Sequence, residues 1–298
     1  MIYIIMPVHN RKDITKRCLD TLYVQTNNNY KIIVVDDGST DGTSEIVTNH
    51  FPDIILLKGD GNLWWTGATN LGISHAIEIG NDNDYVMLLN DDLVVKEDFI
   101  ETATNITTKH PKTLIQAVEM NANNTDSILN GGWKINWYTA KYFQINSGKQ
   151  INEFKNTHYE HVSTQTGRGT LIPIHVLKEI GLYNSAHYPQ CGDFEFPVRA
   201  HNNGYSLIMC YDFKIYSFVE ETCDMNTDTK YKLSDIFSYF GNIRSYAYFP
   251  SRFWFAYDTA SNPLKGFLFF LFDLTRVTTH FIKNLQLLER FSLNKSIK

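Results

Sequence analysis

Only four cysteines occur among 298 residues (Cys18, Cys191, Cys210 and Cys223), and none sits in a CxxC pair or at another metal-ligand spacing. They read as reduced thiols in a cytosolic protein. Long apolar runs are also missing: the longest, Gly266–Phe272, is closed by Asp273 and Arg276, far short of the ~20 residues a membrane span needs. Where a nucleotidyltransferase would carry a phosphate loop rich in glycine and lysine, the chain has Pro7-Val8-His9-Asn10-Arg11-Lys12, with no glycine. No GxGxxG follows the first apolar run, which argues against a dinucleotide-dependent oxidoreductase. Met1 leads at once into strand-forming residues, so no secretory leader is expected.

What is present is a large apolar share, 43% of the residues. That is enough for one large domain, or one domain with an appendage. The net charge of −5 exerts no overall pull on nucleic acid or anionic lipid, but it is unevenly spread. Residues 230–298 hold ten Lys/Arg against four Asp/Glu, a net +6, which leaves −11 for residues 1–229. A basic, aromatic tail follows an acidic body.

Residues 1–120 alternate strand and helix patterns. Strands are predicted at 2–6, 32–35, 54–57, 85–89 and 114–118. Helices are predicted from Ile14 to Leu22 with Asp13 as cap, through Val47, from Thr66 or Thr69 to Gly80, and over 97–109. Successive βα units imply parallel strands with right-handed crossovers. Beyond 120 the pattern changes. Residues 121–125 read as a polar loop, and 133–143 and 164–173 as antiparallel or mixed strands. A helix is expected over 193–204, two strands at 206–211 and 214–219, and two or three helices from Lys230 onward.

Two of the apolar strands end in adjacent carboxylates. Lys31–Val35 runs into Asp36-Asp37-Gly38-Ser39, and Tyr85–Leu89 into Asn90-Asp91-Asp92. Strands this apolar are buried on both faces, and open α/β sheets bind ligands at the carboxyl ends of their strands. Two acidic clusters at one edge repel each other, and a divalent metal carrying a diphosphate relieves both. A carboxylate at a strand end can also accept a hydrogen bond from N3–H of uracil or thymine, which cytosine lacks, although guanine N1–H could serve. Turn capping by Asp36 and Asp37 and an Asx-rich turn at Asn90–Asp92 are the plain alternatives. A third carboxylate, Asp193, opens the predicted helix supported by Pro197 and Gly204, and a helix N-terminus favours the ionised form.

The Asp-Asp-Gly-Ser-Thr-Asp-Gly-Thr turn, Asn-Asp-Asp in the place of a DxD motif, and Gly192-Asp193-Phe194-Glu195 followed by Arg199 together resemble family 2 glycosyltransferases. The segment Gly61-Asn62-Leu63-Trp64-Trp65-Thr66-Gly67-Ala68-Thr69-Asn70 is similar to a subgroup working on bacterial surface polysaccharides (O-antigen or capsule), including rhamnosyl- and galactofuranosyl-type enzymes. The resemblance covers about residues 1–220. It implies an α/β GT-A fold, a mainly parallel Rossmann-like sheet flanked by helices, with a C-terminal helical appendage. Residues 1–225 would form the catalytic domain, split into a nucleotide-binding half (1–120) and an acceptor half (121–225), followed by an aromatic and basic helical region over 226–298.

The implied reaction is metal-dependent, inverting transfer of a sugar from a UDP- or dTDP-linked donor to a glycan acceptor. Asp193 would be the general base. Asp92 would bind Mg²⁺ or Mn²⁺, and Asp91 would face the ribose or donor sugar. Pro7, His9, Asn10, Asp36, Asp37, Asn62 and Trp65 would serve the nucleotide or donor. Trp64, Arg168, His187, Tyr188 and Glu195 are the acceptor candidates; one of Trp64 and Trp65 could instead be core, a structural salt bridge is equally open for Arg168, and an ordinary surface ion pair to Arg199 is the plain reading of Glu195. One departure stands out: Phe218 occupies the place where a metal-binding His is expected, with Glu220 as a neighbouring substitute. A non-catalytic sugar-nucleotide or glycan-binding relative and a metal-dependent nucleotidyltransferase are the competing readings. The tail, with Lys265, Arg276, Lys283 and Arg290 around its apolar residues, suits either a peripheral contact with the inner face of the plasma membrane near a lipid-linked acceptor, or a helical cap on this or a second subunit.

Overall fold

The computed structural model describes residues 1–219 and 230–285. In chain order the elements are β1 (Ile2–Val8), α1 (Lys12–Leu22), β2 (Tyr30–Asp36), α2 (Thr43–His50), β3 (Ile55–Lys58), α3 (Trp64–Ile79), β4 (Tyr85–Leu88), β5 (Leu93–Val94) and α4 (Phe99–Lys109). There follow β6 (Thr113–Asn121), β7 (Asn124–Asn130), β8 (Trp133–Asn136), β9 (Lys141–Gln144), β10 (Tyr159–His161), β11 (Thr170–Pro173), α5 (Ile174–Ile180), α6 (Glu195–Asn202) and β12 (Ser206–Ser217). Helices α7 (Ile236–Gly241), α8 (Phe249–Thr259) and α9 (Pro263–Lys283) are the last elements among the described residues. Contacts group residues 1–134 and 143–219 into one compact unit, and 135–142 with 230–285 into a second.

In the first unit the sheet runs β10-β12-β6-β11-β4-β1-β2-β3. Neighbours among β1 to β4 are parallel, as are β6 and β12, and β11 lies antiparallel between β4 and β6. The apolar strand runs are explained by their two covered faces. Ile2, Ile4, Met6 and Val8 of β1 pack with Leu19 of α1, Val47 of α2 and Phe99 of α4. The alternate residues Tyr3 and Ile5 pack with Ile73 of α3, Leu177 of α5 and Phe196 of α6. Each such side chain contributes about 1.5–3 kcal/mol by leaving water.

The insertion of β11 positions the chemistry. Because it runs against β4, with Thr170 opposite Leu88, its first residue lies at the carboxyl end of β4. The loop 164–169 therefore arrives beside Asn90–Asp92. The sequence predicts that loop as strand, but only Thr170–Pro173 is extended. Other differences are local. The two strands expected at 206–219 are one strand, because Asp212 lies in a bulge between Cys210 and Lys214 instead of a turn. The expected loop at 121–125 is the tight turn into β7, which pairs with β6. Asp13 lies inside α1, whose N-cap is Arg11 with no side-chain cap. Helix α3 starts at Trp64 rather than at a threonine.

The second unit is helical. Asn262 caps α9 by accepting from the Lys265 N–H at 2.9 Å, and Pro263 occupies the first turn. The buried Asp273 accepts from Arg252 and Arg276, each at 2.6 Å, and Trp137 stacks on Phe255. Its far terminus, including Arg290, lies outside the described residues, as do Glu220 and Cys223. No helix among the described residues is long and apolar enough to cross a membrane.

Candidate active site

The loops after β1 and β2 are stitched together. Asn10, at φ 52°, donates its backbone N–H to Ser39 Oγ at 2.8 Å, and its Oδ1 accepts from the Thr40 N–H at 2.8 Å. His9 Nδ1 sits 2.6 Å from the Asp37 carbonyl oxygen. His9 and Asn10 are exposed at this rim and Pro7 is half-buried behind them. Asp36 is buried: its carboxylate accepts from the Ser39 N–H at 2.8 Å and from the Ser44 hydroxyl. Both oxygens thus hold the turn, the capping role that the sequence offers as the plain alternative.

Asp37 has a different duty. Its Oδ1 accepts from the Gly61 N–H at 2.8 Å, and its Oδ2 from the N–H groups of Leu63 at 3.0 Å and Trp64 at 3.1 Å. The carboxylate thus satisfies orphan donors at the start of α3, where negative charge is favoured. Gly59 makes room for it, since a Cβ there would lie 2.4 Å from Oδ1. Trp64 adopts the left-handed conformation at φ 56°, a strained state for a bulky residue that its neighbours must enforce. Asn62 is exposed on the same loop.

The first turn of α3 then reaches across to residues far along the chain. The Thr66 N–H donates to the Pro189 carbonyl at 3.1 Å and its hydroxyl to the Tyr188 carbonyl at 2.5 Å, which fixes the segment before Asp193. Trp65 Nε1–H donates to Asn90 Oδ1 at 3.2 Å. Its ring lies so close to Gly167 that a Cβ there would sit 2.2 Å from the indole. Trp65 is therefore a wedge between the β4 end and the 164–169 loop.

At the end of β4, Asp91 and Asp92 are both buried. Asp91 pairs with Arg11 at 2.9 Å and accepts from the Thr15 hydroxyl at 2.9 Å. Burial pushes its carboxyl up to about 6 despite the opposing pull of Arg11. Arg168 donates to both oxygens of Asp92, at 3.0 and 3.2 Å, to Glu119 at 3.0–3.1 Å, and to the Ser217 hydroxyl. Burial works against the charge on Arg168, yet Glu119 and Asp92 raise its pKa above the ordinary arginine value. Arg168 thus sits in an ion cluster with Asp92 and Glu119.

Asp193 lies in a 3₁₀ turn, Gly192–Phe194, immediately before α6. Its Oδ2 accepts from the Gly167 N–H at 3.2 Å. Burial pushes its carboxyl up to about 6; N–H groups of Gly167 and Phe194 and the charge of Arg168 oppose this without cancelling it. Burial therefore outweighs the helix-end effect expected from the sequence. Two consecutive residues bridge the two sides of the site: Gly167 holds Asp193 and Arg168 holds Asp92.

Two acceptor candidates move into the interior. Tyr188 is buried. Glu195 is buried too, paired with Arg199 at 2.6 Å, whose guanidinium also binds the carbonyls of Ile180 and Leu182. This is an internal brace and not a surface pair. His187 stays half-buried beside Asn184 at 2.9 Å.

A hard cation would find a sparse donor set here. Asp91 and Asp92 supply carboxylate oxygens, and no group of three or more His, Cys, Asp or Glu side chains gathers among the described residues. Phe218 offers no ligand atom and lies under the Arg17 guanidinium at 4.3 Å. Such a set suits Mg²⁺ or Mn²⁺, which bind through one or two carboxylates and take substrate phosphate and water for the rest.

Arg11, Thr15, Glu119 and Ser217 are the partners of Asp91 and of Arg168 that motif reading passes over. The available signal was Glu119 inside the apolar run of β6, since a charge in a doubly covered strand requires a partner. A cavity of about 310 Å³ lies at the opposite, amino edge of the sheet, lined by Asn29, Asp82, Tyr85 and Thr107 among others. None of the site residues borders it.

Among curated proteins, the chain is 34% identical over 104 residues to glycosyltransferase GlyA of Streptococcus pneumoniae, covering 34% of this chain and 14% of that protein. It is 26% identical over 152 residues to the N-acetylglucosaminyl-diphospho-decaprenol L-rhamnosyltransferase of Mycobacterium tuberculosis, covering 43% of this chain and 50% of that protein. The chain thus spans half or less of either relative. The solved structure of GalNAc-T7 with UDP, GalNAc and Mn²⁺ superposes with a TM-score of 0.59 at 14% identity, covering 73% of this chain and 44% of that one. The architecture is that of the GT-A fold. The sequence model described as "Glycosyl transferase family 2" matches residues 3–169, more than half of the chain, and the protein belongs to that family.

Proposed function

We propose that this glycosyltransferase moves a sugar from a UDP- or dTDP-linked donor to a glycan acceptor of a bacterial surface polysaccharide, with inversion at the anomeric carbon and Asp193 as general base. The observation that carries the reading is the bridge at Gly167–Arg168, which ties Asp193 to one side of a short loop and Asp92 to the other. A carboxyl raised to about 6 is ionised at neutral pH, yet more basic than an ordinary aspartate, as a general base requires. Asp193 accepts the proton of the acceptor hydroxyl while that oxygen bonds to the anomeric carbon. The bond from that carbon to the diphosphate oxygen breaks on the opposite face, and its electron pair leaves with the diphosphate.

Asp92, with Asp91, would hold Mg²⁺ or Mn²⁺, which neutralises charge on the departing diphosphate when bound. Arg11 and Arg168 keep the two carboxylates apart and oriented. Asn10 and His9 line the rim toward the nucleotide, and Trp64 offers an aromatic face to a sugar ring. The UDP and Mn²⁺ named with GalNAc-T7 support a nucleotide donor and a divalent cation. The name of the mycobacterial relative supports a rhamnosyl-type donor and a lipid-linked acceptor, and hence work at a cytoplasmic membrane face.

The test is a panel of UDP- and dTDP-sugars with glycan acceptors and Mg²⁺ or Mn²⁺, with the anomeric configuration of the product read by NMR. Product of inverted configuration is expected. Retained configuration would overturn the direct displacement, and donor binding without turnover across the panel would favour a binding relative.

A further inference from the structure

In the second unit, α9 buries Phe269, Val277 and Phe281 on one side. Its other side exposes Leu264, Phe267, Leu268, Leu271 and Phe272 at helical spacing. Helix α8 exposes Phe249, Phe253 and Tyr257, four residues apart. The two stripes are continuous, because Phe249 and Phe253 both meet Phe270 of α9 edge-on, at 5.4 and 5.5 Å. A contiguous aromatic and aliphatic face of this kind marks an interaction site.

Charge selects the occupant. Every exposed charged side chain among the described residues of this unit is basic: Lys141, Lys230, Lys232, Arg244 and Lys283. Of the acidic residues, Asp273 is buried between two arginines, and Asp235 and Asp258 are half-buried. A second copy of the chain would bring like charges together, whereas an anionic surface complements them. No helix among the described residues is long and apolar enough to cross a bilayer, but an apolar face on a unit whose exposed charges are basic suits a helix pair lying in the lipid interface.

We propose that the α8–α9 face docks on an anionic lipid bilayer. This deepens the functional reading above, since a lipid-linked acceptor resides in such a bilayer, but vesicle binding is measured without turnover, so either idea can fail alone. The experiment is co-sedimentation of the full chain with vesicles containing about one-third phosphatidylglycerol, against pure phosphatidylcholine. Binding to the anionic vesicles only is expected, with loss near 1 M salt, where the screening length falls to about 3 Å. The double variant Phe267→Ser/Leu271→Ser changes exposed residues outside the site. It should bind at least about tenfold more weakly with an unchanged thermal transition. Lys283→Glu should weaken binding by about 5–30-fold. Absence of binding to anionic vesicles, or equal binding by native and double variant, would overturn the proposal. Concentration-dependent dimerisation lost in the double variant, without vesicle binding, would assign the face to a second copy instead.

Discussion

Asp37 and Asp92 follow strands on either side of β1, and both are buried, yet their charges are held by different means. Three backbone N–H groups surround Asp37, while a guanidinium shared with Glu119 faces Asp92. Backbone dipoles are fixed parts of the fold, so the first carboxylate is a structural keystone for the start of α3. A guanidinium is a side-chain counter-charge and not part of the backbone, so the metal role proposed for Asp92 requires it to exchange Arg168 for the cation. Two clusters that look alike in sequence thus divide into one held by backbone donors and one held by side-chain charge.

The largest stability effect should therefore fall on Asp37. Asp37→Ala strips the acceptor from three N–H groups and should cost about 3–5 kcal/mol in chemical denaturation. Asp37→Asn keeps one acceptor oxygen and should cost clearly less; equal losses would break the contrast. Asp92→Asn should reverse the pattern. It leaves Arg168 with Glu119 and Ser217, so the expected stability loss is about 1–2 kcal/mol, while turnover drops about 100-fold or more. A stability loss matching that of Asp37→Ala, with turnover intact, would erase the distinction.

A finer effect separates charge from shape at Arg168. Arg168→Gln removes a positive charge that lowers the pKa of Asp193, so the acid limb of the rate profile should move to higher pH by about half a unit or more. Arg168→Lys keeps the charge but not the fork, and should leave the limb in place while weakening the fold by about 1–2 kcal/mol. A limb that moves equally in both variants would mean that geometry alone couples Arg168 to the base.

Much of this was legible in the sequence because apolar strand runs and turn chemistry are local signals. The parallel strands, the acidic strand ends and the helices behind them follow from residues within a dozen positions of one another. The partners of the carboxylates are not local: Arg168 lies 76 residues from Asp92, and Thr15 lies 76 from Asp91. No periodicity joins such positions; only the antiparallel placement of β11 does. The reading of 164–173 as one strand obscured this, because a loop was needed to carry Gly167 and Arg168 to the site. The two tryptophans could not be told apart for a similar reason, since an indole near a sugar site and an indole wedged against a glycine look the same in one dimension. The bulge in β12 was misread because Tyr211-Asp212-Phe213 breaks an otherwise apolar run.

The most direct test of the central claim is turnover by Asp193→Asn at saturating donor and acceptor. Burial raises the Asp193 pKa to about 6 in the folded protein, from 3.8, so the folded state carries a cost that is absent below pH ~4, grows between pH ~4 and ~6, and is constant above. Native kcat/KM should accordingly fall with unit slope below about pH 6. Asn still accepts from the Gly167 N–H without a buried charge, so the variant should be about 1–2 kcal/mol more stable at pH 8 and no more stable at pH 4. With the fold thus intact, the account predicts a drop in turnover of about 10³-fold or more, at the upper part of the range for losing a general base. Turnover within about tenfold of native would contradict it.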